Sequence, residues 1–489
     1  MESGTLDGGC VSRKKTLIIS LIAAALVAAS TFPLIRALSS PRDNWPSDEE
    51  MMQSTDSVAV ASFRDTPETE VDRDVKRVFD SMPANDKRTL DIWNPDAPHS
   101  PEAVSSYVSA ARNLSPFIAK LESTDISDRI ADELRSGPQP LAFPFSANRN
   151  VRHTVMLAAE VALAAVYTHD NRAAAEHIIA ALRIANTLAL SDNFTTNLTG
   201  TNCVAATLLP ARIICRESAF DRASTMKLLA AIAATQTPET FAQGLRFIDR
   251  EIRLRTSLED YRFMVAEDES NNILFDDKAM SNAFREASRK LGITIMNKSR
   301  EELAVLQKED LAACVRLSDL VKTSPPWPYY AARENETWKK VLNHSLVPAK
   351  LPTAFKMQDY TVAMLDRQAN GVAIAGTSSL MLMARLFESQ NHRLPESLEE
   401  LRSFALADTE IDATLDPSQS FWNDPYSGQP YKCVLTRDET GKPLSLKIYS
   451  VGPDLKDDGG QLKLPAGGMR AGPFDIGIEG KGLTEDVAK

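Results

Sequence analysis

The chain has 489 residues, 43% hydrophobic, 25% charged and 7% aromatic, with a formal net charge of −11. This mixture excludes wholesale disorder and collagen-like repeats, and the acidic balance excludes a nucleic-acid binder, which needs concentrated Lys and Arg against phosphate. Five cysteines are too few for a disulfide scaffold, and at about 100–200 residues per domain the length allows two or three domains.

Residues 16–35 form an uncharged run rich in Ile, Leu, Ala and Val. As a helix it spans about 30 Å, the thickness of a bilayer's hydrocarbon core. Arg13, Lys14 and Lys15 precede it, so the positive-inside rule keeps residues 1–15 cytoplasmic and sends the rest outward. The expectation is a signal anchor in the inner (cytoplasmic) membrane. Ala28-Ala29-Ser30 also fits a cleavable signal peptide. Cys10 precedes the run, where a lipidated cysteine would follow it, and no pilin-type processing site occurs near Lys15. Residues 36–489 hold 52 basic and 64 acidic residues, a net −12 that anionic headgroups repel.

Residues 36–70 read as a Ser/Asp/Glu/Pro tether, and helical patterning fills 71–322. Ser100 and Pro101 mark a helix start, with the helix running to about Leu121. Residues 151–167 and 173–190 read as an antiparallel hairpin turning at His169-Asp170-Asn171. A third helix over 195–216 contains Pro210, which kinks it, and a fourth covers 223–234. From Thr237-Pro238-Glu239 a long charged helix runs to about Glu267, with Arg250, Glu251, Arg255 and Glu259 on a salt-bridged, solvent-facing surface. Further helices are expected over 278–291 and 300–322. Paired helices invite comparison with tetratricopeptide solenoids, but their period and marker residues are missing, so one irregular helical domain is preferred. Residues 323–353 form a Pro/aromatic connector around Ser324-Pro325-Pro326-Trp327-Pro328-Tyr329-Tyr330, with a helix at about 335–344. Such residues either line a groove or, more commonly, cover a core edge.

From residue 354 to 489 the pattern changes. A long helix over 355–389 leads to Pro395, Ser397 and Leu398, then to Asp424-Pro425 with Gly428, Pro430 and Tyr431. A hairpin follows, with strands over 431–437 and 444–451, and then a loop bearing Tyr449-Ser450, Gly452 and Asp454. This order resembles the C-terminal part of the major pseudopilins of type II secretion and related pilin-like proteins. The resemblance covers about a fifth of the chain. It departs from the family in one respect: a pilin's long helix starts at the mature N-terminus and is itself the membrane segment. The whole chain also resembles a set of membrane-anchored exported proteins of planctomycete type, which implies a location and no activity.

Asp454, Asp457 and Asp458 with Gly459 and Gly460 are the leading candidate site. A hard cation such as Ca²⁺ takes six to eight oxygens, and pseudopilins bind calcium in the corresponding loop. The alternative is a solvated acidic turn partly neutralised by Lys456. For catalysis, His153 and Glu160 share a helix face and His177 lies on the partner helix, so a zinc or general-base site is conceivable across the hairpin. No HExxH, CxxC, GxSxG or Walker pattern supports it. Cys203 and Cys215, twelve apart, would be about 18 Å apart on one helix, too far for a disulfide, so free thiols are expected.

The fold class expected is therefore mainly α: an irregular helical domain, a small C-terminal α+β pseudopilin-like module and one N-terminal transmembrane helix. The function expected is a structural or interaction component of a bacterial envelope or secretion/pilus-type assembly, with an exported hydrolase-like enzyme as the alternative. Expected partners are the membrane through residues 16–35 and other proteins, with no nucleic acid. Calcium is the one cofactor foreseen.

Overall fold

The structure, a computed structural model, describes residues 70–91, 99–123, 145–190, 194–235, 238–246, 248–249, 252, 255–256, 258, 261, 298–323, 328–414, 422–460, 462 and 475–483. The expected membrane segment, the tether and the helix over 278–291 lie outside these residues. The chain divides into two compact units, Met1–Ser57 with Ser257–Lys308, and Val58–Thr256 with Glu309–Lys489. In the first, the described part is chiefly the start of a helix, where Ser299 and Glu302 cap each other's backbone N–H reciprocally as a capping box does.

The second unit is mainly helical, with a three-stranded antiparallel sheet. Its first helices are α1 (Glu70–Ser81), α2 (Ala84–Asp91) and α3 (Pro101–Ser123). The Ser100 hydroxyl accepts from Ala103 N at 3.2 Å, so α3 starts where the Ser-Pro signal places it. The hairpin follows as α4 (Phe145–Tyr167) and α5 (Asn171–Ala189). Asp170 caps α5 through Ala173 N at 3.0 Å, and His169 takes the turn with φ 59°. Ala158, Ala162, Ala174, Ala181 and Ala185 are all buried, which lets the two helices approach closely.

Pro210 does more than kink the third helix. It divides the segment into α6 (Phe194–Thr207) and α7 (Leu209–Glu217), with Pro210 at the head of α7. Proline there has no N–H to continue the ladder from α6, and its fixed φ suits a first turn. Thr196–Arg216 has the length and hydropathy to cross a bilayer, but 61% of its most apolar stretch is buried inside the molecule. Together with the break at Leu208, this makes it core. Next come α8 (Arg222–Ala233) and α9 (Pro238–Leu245). The expected long charged helix is corrected here. α9 stops at Leu245, just past Gly244, a poor helix former; Ile248, Asp249, Ile252, Leu258 and Tyr261 are helical as expected, but Arg255 is a turn residue and not solvent-facing, at 1% exposed.

α10 (Arg300–Thr323) leads to the connector, which contains α11 (Tyr329–Glu334) and α12 (Glu336–Leu342). Tyr329 packs edge-on against Tyr426, with ring centroids 5.3 Å apart, and Trp338 is buried. Among its described residues the connector covers a core edge.

The 40-residue helix α13 (Pro352–Asn391) follows. Asp310 from α10 accepts from Thr353 N at 2.9 Å and Ala354 N at 2.7 Å, satisfying donors at its N-terminus. α14 (Leu398–Ala407) and α15 (Thr409–Thr414) precede β1 (Lys432–Arg437) and β2 (Pro443–Ser450), the expected hairpin. A third strand, β3 (Ile476–Lys481), pairs antiparallel with β2, opposing Ile448 to Ile478. Leu446, Ile448 and Ile478 point inward and join one buried cluster with Val155, Leu182, Leu229 and Leu382. The helical body and the C-terminal segment thus share a core.

Candidate functional site

The loop after β2 is held from three sides. Asp454 Oδ1 accepts from Lys456 N at 3.1 Å, a local turn. Asp457 Oδ1 accepts from Gly459 N at 3.0 Å and the Tyr449 hydroxyl at 2.9 Å, and Lys432 Nζ lies 3.4 Å from Asp457 Oδ2. Burial works against the Asp457 charge, yet Gly459, Tyr449 and Lys432 together hold its carboxyl below the usual range. Gly460 has φ 70°, and a Cβ there would meet Lys447 Cδ at 2.4 Å, so the chain passes flat over β2 only as glycine.

Asp475, directly before β3, completes the group and has no signal in the sequence, because it enters only when β3 pairs with β2. It is 2% exposed. Its Oδ2 accepts from Gly460 N at 2.7 Å, whereas its Oδ1 is buried with no hydrogen-bond partner. Burial lifts the Asp475 carboxyl above its ordinary range; bonds from the Gly460 and Asp458 backbone oppose this, and the charges of Asp457 and Asp458 reinforce it. Asp457, Asp458 and Asp475 therefore share one acidic environment, while Asp454 is engaged in its own turn.

Whether the residues suit a hard cation turns on that buried, partnerless Asp475 oxygen. An orphaned acceptor beside two more carboxylates is an oxygen-rich donor set of the type Ca²⁺ takes. Among the described residues no three His, Cys, Asp or Glu side chains already stand as a metal-binding group, so binding requires the loop side chains to turn inward.

The loop rests on a second carboxylate. Asp424, 1% exposed, accepts from Tyr426 N (3.0 Å) and Ser450 Oγ (2.6 Å) on Oδ1, and from Ser427 Oγ (2.8 Å) and Val451 N (3.2 Å) on Oδ2. It fastens the Asp-Pro turn to the end of β2. Gly428 closes that turn with φ 72°, and a Cβ there would meet the Tyr330 ring at 2.8 Å.

The catalytic candidates do not come together. His153 stacks on Phe79 of α1 at 5.6 Å and 9°. Glu160, two turns along α4, is half-buried and bonded by Tyr107 of α3. His177 is half-buried on α5, beside the exposed Arg172–Glu176 pair. An open groove of about 580 Å³ between α2 and α3, lined by Asp86, Glu102, Ser105 and Ser109 among others, contains none of them. Cys203, Cys215, Cys314 and Cys433 are free thiols, all but Cys433 fully buried. Burial pushes Cys203 and Cys215 up to about 12, which makes them poor nucleophiles.

Compared with known family models, curated proteins and solved structures, the chain matches none.

Proposed function

We propose that the protein is a membrane-anchored, exported structural or interaction component of a bacterial envelope or secretion/pilus-type assembly, with a C-terminal loop that takes Ca²⁺. The observation carrying this reading is the contrast between the two groups of candidate residues. His153 stacks on Phe79 and Glu160 is bonded by Tyr107, so among the described residues these candidates do not assemble a nucleophile, base and orienting group for hydrolysis. The residues underlying the pseudopilin resemblance instead build a fastened α+β end on a long helix, with an acidic loop at its margin. In this reading residues 16–35 hold the protein in the inner membrane and place the acidic body outside the cytoplasm.

When bound, the calcium ion would contribute charge and cross-linking, tying the β2–β3 loop to Asp475. Asp457, Asp458 and Asp475 would hold it. The functional test is cross-linked affinity capture of the full chain from detergent extract, with mass spectrometry. Co-purification of secretion, pilus-type or other envelope components supports the proposal. A solitary protein, or one whose body is recovered from the cytoplasm, overturns it.

A further inference from the structure

Tyr107 is fully buried on α3, and its hydroxyl faces two oxygens of one residue on α4: the Glu160 carbonyl at 2.8 Å and Glu160 Oε2 at 2.5 Å. A phenol has one proton to donate. If the carboxyl were ionised, both oxygens would be acceptors competing for that proton. With a protonated carboxyl every group is served: Glu160 Oε2–H donates to Tyr107 Oη, whose own proton goes to the Glu160 carbonyl.

We propose that Tyr107 and Glu160 form a proton-held latch between α3 and α4, in which the Glu160 carboxyl carries a proton in the folded protein and its loss loosens α3.

The surroundings agree. From α3 the titratable group facing Glu160 is Tyr107, with Tyr167 of α4 edge-on to it at 6.0 Å. From α2 it is Asp91, whose charge disfavours a second carboxylate nearby. Among the described residues no group of α1, α5, α6 or α7, the other helices against α4, contributes to the proton affinity of Glu160, and no cation offsets its charge. Burial is the largest cause and lifts the carboxyl to about 7; donation from Tyr107 to an ionised Oε2, the reverse of the latch's direction, opposes it, and Asp91 adds to it. Because the folded value lies above the ordinary 4.5, the stability held by this proton is fully present below about pH 4.5 and is lost as pH rises through about 7. That difference corresponds to roughly a 300-fold rise in the unfolding constant across the window.

The test is chemical denaturation of the full chain in detergent from pH 5 to 8.5, wild type against Glu160→Gln, whose amide can donate to Tyr107 as the protonated acid does. The wild type should lose stability chiefly between pH 5 and 7 and level off above about 7.5, a rise of roughly 80-fold in unfolding constant over the scan, and Glu160→Gln should lose at least tenfold less. Parallel profiles overturn the latch. If Glu160→Gln fails to fold, hydrogen exchange of the wild type, corrected for intrinsic rate, replaces it. Protection over residues 101–123 falling with pH while that of α8 stays constant supports the proposal, and equal behaviour of both overturns it.

Discussion

Replacing Asp424 with alanine tests the fastening of the C-terminal end most directly. The carboxylate is buried and receives four donors, two per oxygen: the backbone N–H groups of Tyr426 and Val451 and the hydroxyls of Ser427 and Ser450. The hydroxyls can rotate to other acceptors, whereas the two amides are fixed by the turn and the strand end. Each buried donor left unsatisfied costs about 1–3 kcal/mol, so the two amides and the lost contacts together give about 3–5 kcal/mol for Asp424→Ala. Ser450→Ala removes one donor, leaves the carboxylate three and strands the Gly452 N–H that the hydroxyl accepts at 3.1 Å, costing about 2–3 kcal/mol. Because both substitutions act on one network, the double variant should be less destabilised than the sum, by about 1 kcal/mol. Urea unfolding followed by tryptophan fluorescence measures all three, and Trp422 lies two residues from the carboxylate. A loss below about 1 kcal/mol for Asp424→Ala would show that the turn's donors find water, and would refute the account of Asp424 as a buried fastener.

Arg385, 1% exposed, donates to the carbonyls of Cys215 (2.8 Å) and Arg216 (3.0 Å) and pairs with buried Glu388, whose Oε1 accepts from Leu483 N. Arg385→Met strands that carboxylate and should cost about 3–5 kcal/mol in urea unfolding; adding Glu388→Gln should recover part of it. For the acidic loop, calorimetry with about 1 mM calcium should register binding to the wild type and none to Asp475→Asn, with a rise in melting temperature following RT ln(1 + [L]/Kd). Because burial raises the Asp475 carboxyl, a proton competes with the cation, and affinity should increase with pH. No heat and an unchanged melting temperature would remove the site.

Much of the helical body is legible in the sequence because its signals are local. Ser100-Pro101, the His169-Asp170-Asn171 turn and the Ala-rich faces of α4 and α5 act within a few residues, and the structure places caps and contacts where they point. What is not legible depends on distant partners. Arg255 sits in a run of alternating charge that reads as a surface helix, yet it is buried. β3 is equally hidden, since Gly477 and Gly480 bring no side chains to alternate. Its pairing partner lies some 30 residues earlier, with Gly480 passing against the Cys215 carbonyl and Arg385. Asp475 shares that obscurity, because only closure of β3 brings it to the loop.

The C-terminal residues from which a pseudopilin likeness is expected are ones that do mechanical work in the structure. Asp424 gathers four donors, Gly428 lets Tyr330 close over the turn, Ser397 caps α14 through Glu400 N at 3.2 Å, and Tyr431 lies against Gly376 of α13. A pattern of fasteners specifies packing, and packing is shared by proteins of unrelated activity. Such a pattern, were the likeness to hold, bears on how this segment packs against its long helix far more than on any chemistry. The groups with unspent chemical potential lie outside that pattern: the Asp475 oxygen without a partner, and the Glu160 carboxyl whose proton completes a hydrogen-bond chain. One depends on a strand pairing and the other on the packing of α3 against α4. Both are products of tertiary closure, where a buried carboxylate must find a cation, a proton or a donor.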